Sequence, residues 1–449
     1  MSEAVEFDAV LHAASVQLPE GPREAWIGIR DGLIAAVSAA PLDGPTTELA
    51  PDEVLIPGIV DSHVHVNEPG RTEWEGFDSA TRAAAAGGVT TIVDMPLNSV
   101  PTTVSLEALH VKREAAGPKA RVDVGFWGGA VPQNLGGLAE LWDAGVFGFK
   151  CFLAPSGIDE FDHLDTAQLD AALAEIAELE ALLIVHAEDP AVLAASARDG
   201  GADYRSFVES RPDFAETTAI GRVIEGVRRT GARAHILHLS SAAAVPMLRA
   251  ARAEGLPITV ETCPHYLTIA EEQVPAGATE FKCCPPIRDE ANREALWEAL
   301  LEGVIDVVVT DHSPATAELK LGHGGDFQRA WGGIAGLQTG FGAVWTEARR
   351  RGIPLEHVLQ WMSRGTAELL GLGAKGRIAV GADADLVAFA PDEAFTVHAD
   401  RLLHRNPVTA FDGRRLHGVA RRAWLAGEPL DRSAGAAPRG RLLSRAQEL

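Results

Sequence analysis

Leu55-Ile56-Pro57-Gly58-Ile59-Val60-Asp61-Ser62-His63-Val64-His65-Val66 reads as a buried strand that ends in two histidines. An apolar run bounded by Pro-Gly is a strand signal. Residues two apart on a strand project from the same face, so His63 and His65 point the same way. Two imidazoles at a strand end are either half of a metal site or a pair hydrogen-bonded in a loop. The rest of the chain decides between these readings.

Downstream, strand-like runs alternate with helical stretches. Eight runs stand out: 55–61, 90–96, 122–130, 147–152, 182–188, 234–240, 258–264 and 305–312. Between them lie Ala/Glu/Leu-rich segments such as Thr166 to Leu179, with apolar residues at helical spacing. Such alternation implies a parallel sheet. Eight units over about 260 residues match a closed (β/α)8 barrel better than an open, doubly wound sheet. Residues 327–372 read as helices that complete the barrel.

The flanks have a different texture. Residues 5–55 are short apolar stretches, with a hairpin signal at Asp31-Gly32. Gly376 to Phe389 returns to strand texture. The expected architecture is therefore a TIM-like barrel with a small β-sandwich domain built from both termini. Its division is 1–56 and 373–449 for the sandwich and 57–372 for the barrel. The tail from Arg432, rich in Ala, Gly, Arg and Ser, reads as loosely ordered.

Composition excludes several classes. A hydrophobic content of 46% and a charged content of 23% are those of a globular protein. The net charge of -24 argues against a nucleic-acid surface and an anionic-membrane surface. Cys151, Cys263, Cys283 and Cys284 form no Cys-x-x-Cys pair and no disulfide framework, which suits reduced thiols in the cytoplasm. The acidic start Met1–Glu6 has no signal-peptide pattern. No apolar run approaches the ~20 residues that span a bilayer.

In a barrel of this kind the working residues sit at the C-terminal ends of the strands. Those ends carry His63 and His65, then Lys150, His186, His238 and Asp311. Alone, His186 or His238 would be a core histidine, and Asp311 a helix cap. His235 reads as structural. Lys150 is harder to dismiss, because a buried unpaired ammonium is costly. Six candidate ligands at the ends of five strands point to a metal centre.

At these residues the chain resembles the cyclic amidohydrolases of the amidohydrolase superfamily, most closely the allantoinases, from about Asp8 to Leu425. The matching blocks include Pro57 to His65, Asn67-Glu68-Pro69-Gly70-Arg71, Trp74-Glu75-Gly76, Met95-Pro96-Leu97-Asn98 and Gly148-Phe149-Lys150-Cys151-Phe152. They continue with Cys263-Pro264-His265-Tyr266, Pro285 to Asp289, Asp311-His312-Ser313-Pro314 and Trp331 to Gln338. The resemblance implies two divalent metals, zinc by preference, with manganese, cobalt or iron acceptable to the same donors. It implies one metal on His63, His65 and Asp311 and the other on His186 and His238. Lys150, carboxylated by carbon dioxide to N6-carboxylysine, would bridge them. Asp311 would move the proton between a metal-activated hydroxide and the leaving nitrogen.

The implied reaction is hydrolysis of a small cyclic ureide, (S)-allantoin to allantoate. Hydantoinase-like, dihydropyrimidinase-like and dihydroorotase-like ring opening are the alternatives. Dihydroorotases usually have an arginine where Asn67 stands, and hydantoinases typically a tyrosine where Pro155 stands. Both departures favour allantoin. Arg71, Asn98, Cys284 and Trp331 are the candidate pocket residues, with Cys284 at a position often held by serine. The loop 321–326 reads as a lid or as an ordinary surface loop. All six ligand positions are filled, which speaks against a non-catalytic scaffold homologue. The resemblance also implies a homotetramer.

Overall fold

The computed structural model describes residues 6–445; Met1–Val5 of the acidic start lie outside them. The opening stretch is two strands, where one over 55–61 was expected. Val54–Pro57 pairs with Leu386–Thr396 from the other terminus, and Ile59–Val64 is the first barrel strand. The break falls at Gly58 because the chain passes hard against Thr90. A Cβ there would sit 2.0 Å from Thr90 Oγ1, so only glycine fits. The Gly58 N–H donates to Asp385 O at 2.8 Å, and its carbonyl accepts from Ser363 Oγ at 2.6 Å.

The remaining barrel strands are Val89–Asp94, Asp123–Phe126, Phe149–Phe152, Leu182–His186, Arg233–Ile236, Ile258–Thr262 and Val307–Val308. The third is interrupted at Trp127 and resumes as Gly128–Gly129, which pairs with the fourth. Neighbouring strands are parallel throughout. The ring closes where Val64 bridges His312 and His65 N donates to His312 O at 2.8 Å. Helices cover the outside. Thr166–Glu178 starts at an Asp165 capping box with Gln168 and buries Leu169, Ala172, Leu173 and Ile176.

Strands from both ends of the chain join in one eight-stranded mixed sheet. Leu386–Thr396 links the halves, with Val54–Pro57 on one side and Arg415–Leu425 on the other. The Asp31-Gly32 turn closes the hairpin Gly21–Arg30/Leu33–Ser38, both residues having positive φ (54° and 78°). Leu11, Val16, Ile27, Ile29, Leu386 and Trp424 form this sheet's own core.

Two expectations need correction. The strand after Gly376 begins only at Leu386, because the preceding segment carries charges to a buried cluster. There Lys375 Nζ lies 2.8 Å from Asp123, 2.9 Å from Asp383 and 2.7 Å from Asp385. The tail is docked as far as Arg445, and 446–449 lie outside the described residues. Leu442 bridges Val124, Leu443 N donates to Val124 O at 2.8 Å, and Arg441 Nη2 reaches Asp123 (2.9 Å) and Asp383 (2.6 Å). Composition alone hides this, since a few anchoring side chains dock a stretch that otherwise has no apolar pattern. No helix of the described residues is long and apolar enough to cross a membrane.

Candidate metal centre

His63, His65, Lys150, His186, His238 and Asp311 are all buried and meet at the C-terminal mouth of the barrel. Ring centroids lie 5.5 Å apart for His63–His65 and His63–His238, and 4.6 Å apart for His186–His238. Asp311 Oδ1 is 3.1 Å from His63 Nε2 and 3.5 Å from His65 Nε2. Ligand atoms of these three residues all lie within 4.8 Å of one another, a group that could hold a metal ion. Lys150 Nζ is 3.3 Å from His63 Nε2. Asp311 does not cap the helix that follows; Thr316 caps Ala317–Leu321.

The backbone is strained here. Asn67 (φ 65°), Asn98 (φ 64°), His238 (φ 35°) and Asp311 (φ 44°) adopt left-handed conformations. Each costs of order 1–3 kcal/mol and persists only where the surroundings impose it.

Burial sets the protonation states. It pushes His65 down to about 3 and depresses His186 and His238 too. Those imidazoles are neutral near pH 7, the form that ligates metal. Burial also lowers Lys150 to about 8, although Asp311 and Glu261 pull the other way. Burial opposes ionisation of Asp311, but His63, His65 and His238 prevail and hold its carboxyl well below the usual range. The buried Nδ1 of His238 has no hydrogen-bond partner. Neutral nitrogens, one carboxylate and an orphaned imidazole atom fit divalent ions.

Carboxylates behind the histidines escaped the sequence reading. Glu261, on the seventh strand, lies 2.5 Å from His63 Nδ1 and 3.1 Å from His235 Nε2, and accepts from His238 N at 3.0 Å. That contact and Thr259 (2.7 Å) give His235 the structural role expected of it. Glu188 lies 2.8 Å from His186 Nε2 and is gripped by Arg211, whose Nε donates at 3.0 Å. Their signals were a glutamate inside an apolar strand and a glutamate two residues past a histidine. Arg211 had no local signal.

A pocket of about 310 Å³ opens above these residues. Asn98, Cys284 and Trp331 line it, with Pro155 and Arg211. Arg71 does not. Its Nη1 donates to Asn98 O at 2.8 Å and its Nη2 meets Glu160 at 2.9 Å, so it braces the Asn98 loop from behind. The loop 321–326 also stays out of the lining. It leads into Phe327, whose N–H donates to Gly201 O at 2.9 Å.

This fold and donor set have known counterparts. A model of the amidohydrolase family matches residues 54–419, and the chain belongs to that family. Among its relatives, the allantoinase of Streptomyces avermitilis is 55% identical over 98% of this chain and 99% of its own. The allantoinase of Saccharomyces cerevisiae is 47% identical over 83% of this chain and 82% of its own. Among solved structures, the L-hydantoinase (dihydropyrimidinase) of Arthrobacter aurescens superposes with a TM-score of 0.91 at 30% identity, covering 98% of this chain and 100% of that one.

Proposed function

We propose that the chain is an allantoinase, opening the ring amide of (S)-allantoin to give allantoate. The carrying observation is the buried convergence of four histidines, Lys150 and Asp311 at the floor of a pocket sized for a small ring. Identity of 55% to an allantoinase over nearly the whole chain supports the choice of ring. His63, His65 and Asp311 would hold one divalent ion, and His186 and His238 the second, with carboxylated Lys150 shared between them. Zinc is the proposed metal; manganese, cobalt and iron suit the same donors. When bound, such ions polarise a carbonyl and acidify water.

The chain's own residues do the rest. Asp311 stays ionised in the buried site, so it is ready to accept a proton from the attacking water. The same carboxyl then delivers that proton to the leaving ring nitrogen. Ser313 Oγ donates to Asp311 Oδ1 at 2.9 Å and fixes its orientation. Glu261 and Glu188 hold His63 and His186 in place. Asn98, Cys284, Trp331 and Arg211 surround the ring.

The proposed division is a terminal β domain from 1–56 and 373–449 around a catalytic barrel from 57–372. Four free cysteines support a reducing, cytoplasmic setting. A homotetramer is the proposed assembly, checked by light scattering. The test of function offers allantoin, hydantoin, dihydrouracil and dihydroorotate to protein reconstituted with zinc and bicarbonate. Preference for allantoin, abolished in Asp311→Asn and Lys150→Met, is the expected result. Preference for hydantoin or dihydrouracil would move the substrate to that of the structural neighbours; no ring opening would sink the proposal.

A further inference from the structure

Two buried lysines outside the metal centre have no carboxylate partner. Lys320, on the helix Ala317–Leu321, is 4% exposed, and Lys282 is 7% exposed. Neither forms an ion pair among the described residues. A buried ammonium without a counter-ion is costly unless each N–H finds an acceptor. Here the acceptors are main-chain carbonyls, three for Lys320 and two for Lys282. Lys320 Nζ donates to Lys282 O (2.6 Å), Trp331 O (3.0 Å) and Gly333 O. Lys282 Nζ donates to Ala330 O (2.5 Å) and Gln328 O (3.1 Å), over the Phe207 ring at 5.2 Å.

We propose that Lys282 and Lys320 are positioning residues for substrate, a pair of ammonium clamps that fix the 328–333 segment as one wall of the pocket. The inference rests on the reading of that pocket as the substrate site. Arg329, Ala330, Trp331, Gly332 and Gly333 all line it. The stretch Trp331–Gly333 belongs to no helix or strand, so no regular ladder holds it. Its own N–H groups supply few ties: Trp331 N to Leu319 O (3.0 Å) and Gly333 N to Lys282 O (2.9 Å). Lys320 answers both ends of this stretch at once, and its third bond locks the wall to the segment that carries Cys284. Burial pushes the Lys320 ammonium down to about 7, while its three carbonyl acceptors favour the charged form that can donate to all of them. Neither lysine approaches the histidines or Asp311 within hydrogen-bond distance, so the clamps act on substrate seating and not on the metal ligands.

The test uses the full-length holoenzyme with Lys320→Met and, separately, Lys282→Met, each keeping most of the buried stem and losing the donors. The expected result is a KM for allantoin raised about tenfold or more, with kcat and metal content within about twofold. Amide exchange across 328–333 should quicken about tenfold in the same variants. Lys282→Arg, which keeps a charged donor, should restore most of the KM. Unchanged KM and unchanged exchange in either folded variant would overturn the clamp, as would a parallel loss of kcat and metal. Lys282 breaks two bonds against three for Lys320, so Lys282→Met carries the test if Lys320→Met does not fold. Wild-type protein that opens no ring would refute the assigned reaction, while the exchange measurement judges the clamp without substrate.

Discussion

Lys150 offers the sharpest quantitative expectation, because only a neutral amine attacks carbon dioxide. Burial brings its pKa from 10.5 down to about 8. At pH 7 about 9% of such an amine is neutral, against ~0.03% for an ordinary lysine, a gain of about 300-fold in the reactive form. Below pH 8 the ammonium dominates, so carboxylation should quicken about tenfold per pH unit from 6 to 7 and level off above 8. The assay is metal-free protein in 13C-bicarbonate, with the carbamate signal followed by carbon NMR at fixed dissolved carbon dioxide. Lys150→Met is the control. A rate still climbing tenfold per unit beyond pH 9 would show an unperturbed amine and refute the burial argument. A carbamate signal that survives in Lys150→Met would refute the assignment to this residue.

Three further outcomes follow from the charged groups. Glu261→Gln leaves His63 and His235 without their carboxylate; metal affinity measured against a competing chelator should fall about 10–100-fold. Lys375→Met strands Asp123, Asp383 and Asp385 without their central cation. It should cost about 3–5 kcal/mol in denaturant unfolding, with kcat in surviving protein unchanged because the cluster sits at the opposite end of the barrel. Arg441→Ala, whose side chain is 54% exposed, should cost under about 1 kcal/mol by the same measurement.

What the sequence exposed and what it hid divide along a physical line. Strand periodicity places the eight barrel runs, and strand-end position assigns His63, His65, Lys150, His186, His238 and Asp311 to one mouth. These signals are local. Failures came where a contact depends on distant chain. Gly58 breaks the opening strand only because Thr90 lies against it. Arg71 has the sequence signature of a pocket residue, but its fork engages Asn98 O and Glu160. The tail looked loose because Arg441 and Leu443 find partners on the third barrel strand, more than three hundred residues away in sequence. Lys282 and Lys320 carry no motif, since their partners are carbonyl groups that every residue has.

The buried carboxylates also explain how a strained site stays in place. His238 and Asp311 sit at positive φ, which histidine and aspartate tolerate better than most residues but still at a cost. His238 N donates to Glu261 Oε1, the oxygen that also meets His63 Nδ1, so one carboxylate ties the sixth strand end to the first. Beside Asp311, Thr310 Oγ1 donates to Asp61 at 2.6 Å, which joins the eighth strand end to the first as well. Thus the two strained residues are pinned through groups that do not touch the pocket. Burial raises Asp61 to about 6, against the pull of Thr310. Its pinning is therefore strongest once that carboxyl is ionised, above about pH 6, and fades as it takes up a proton. Contacts within the chain, behind the pocket, therefore hold the donors in place.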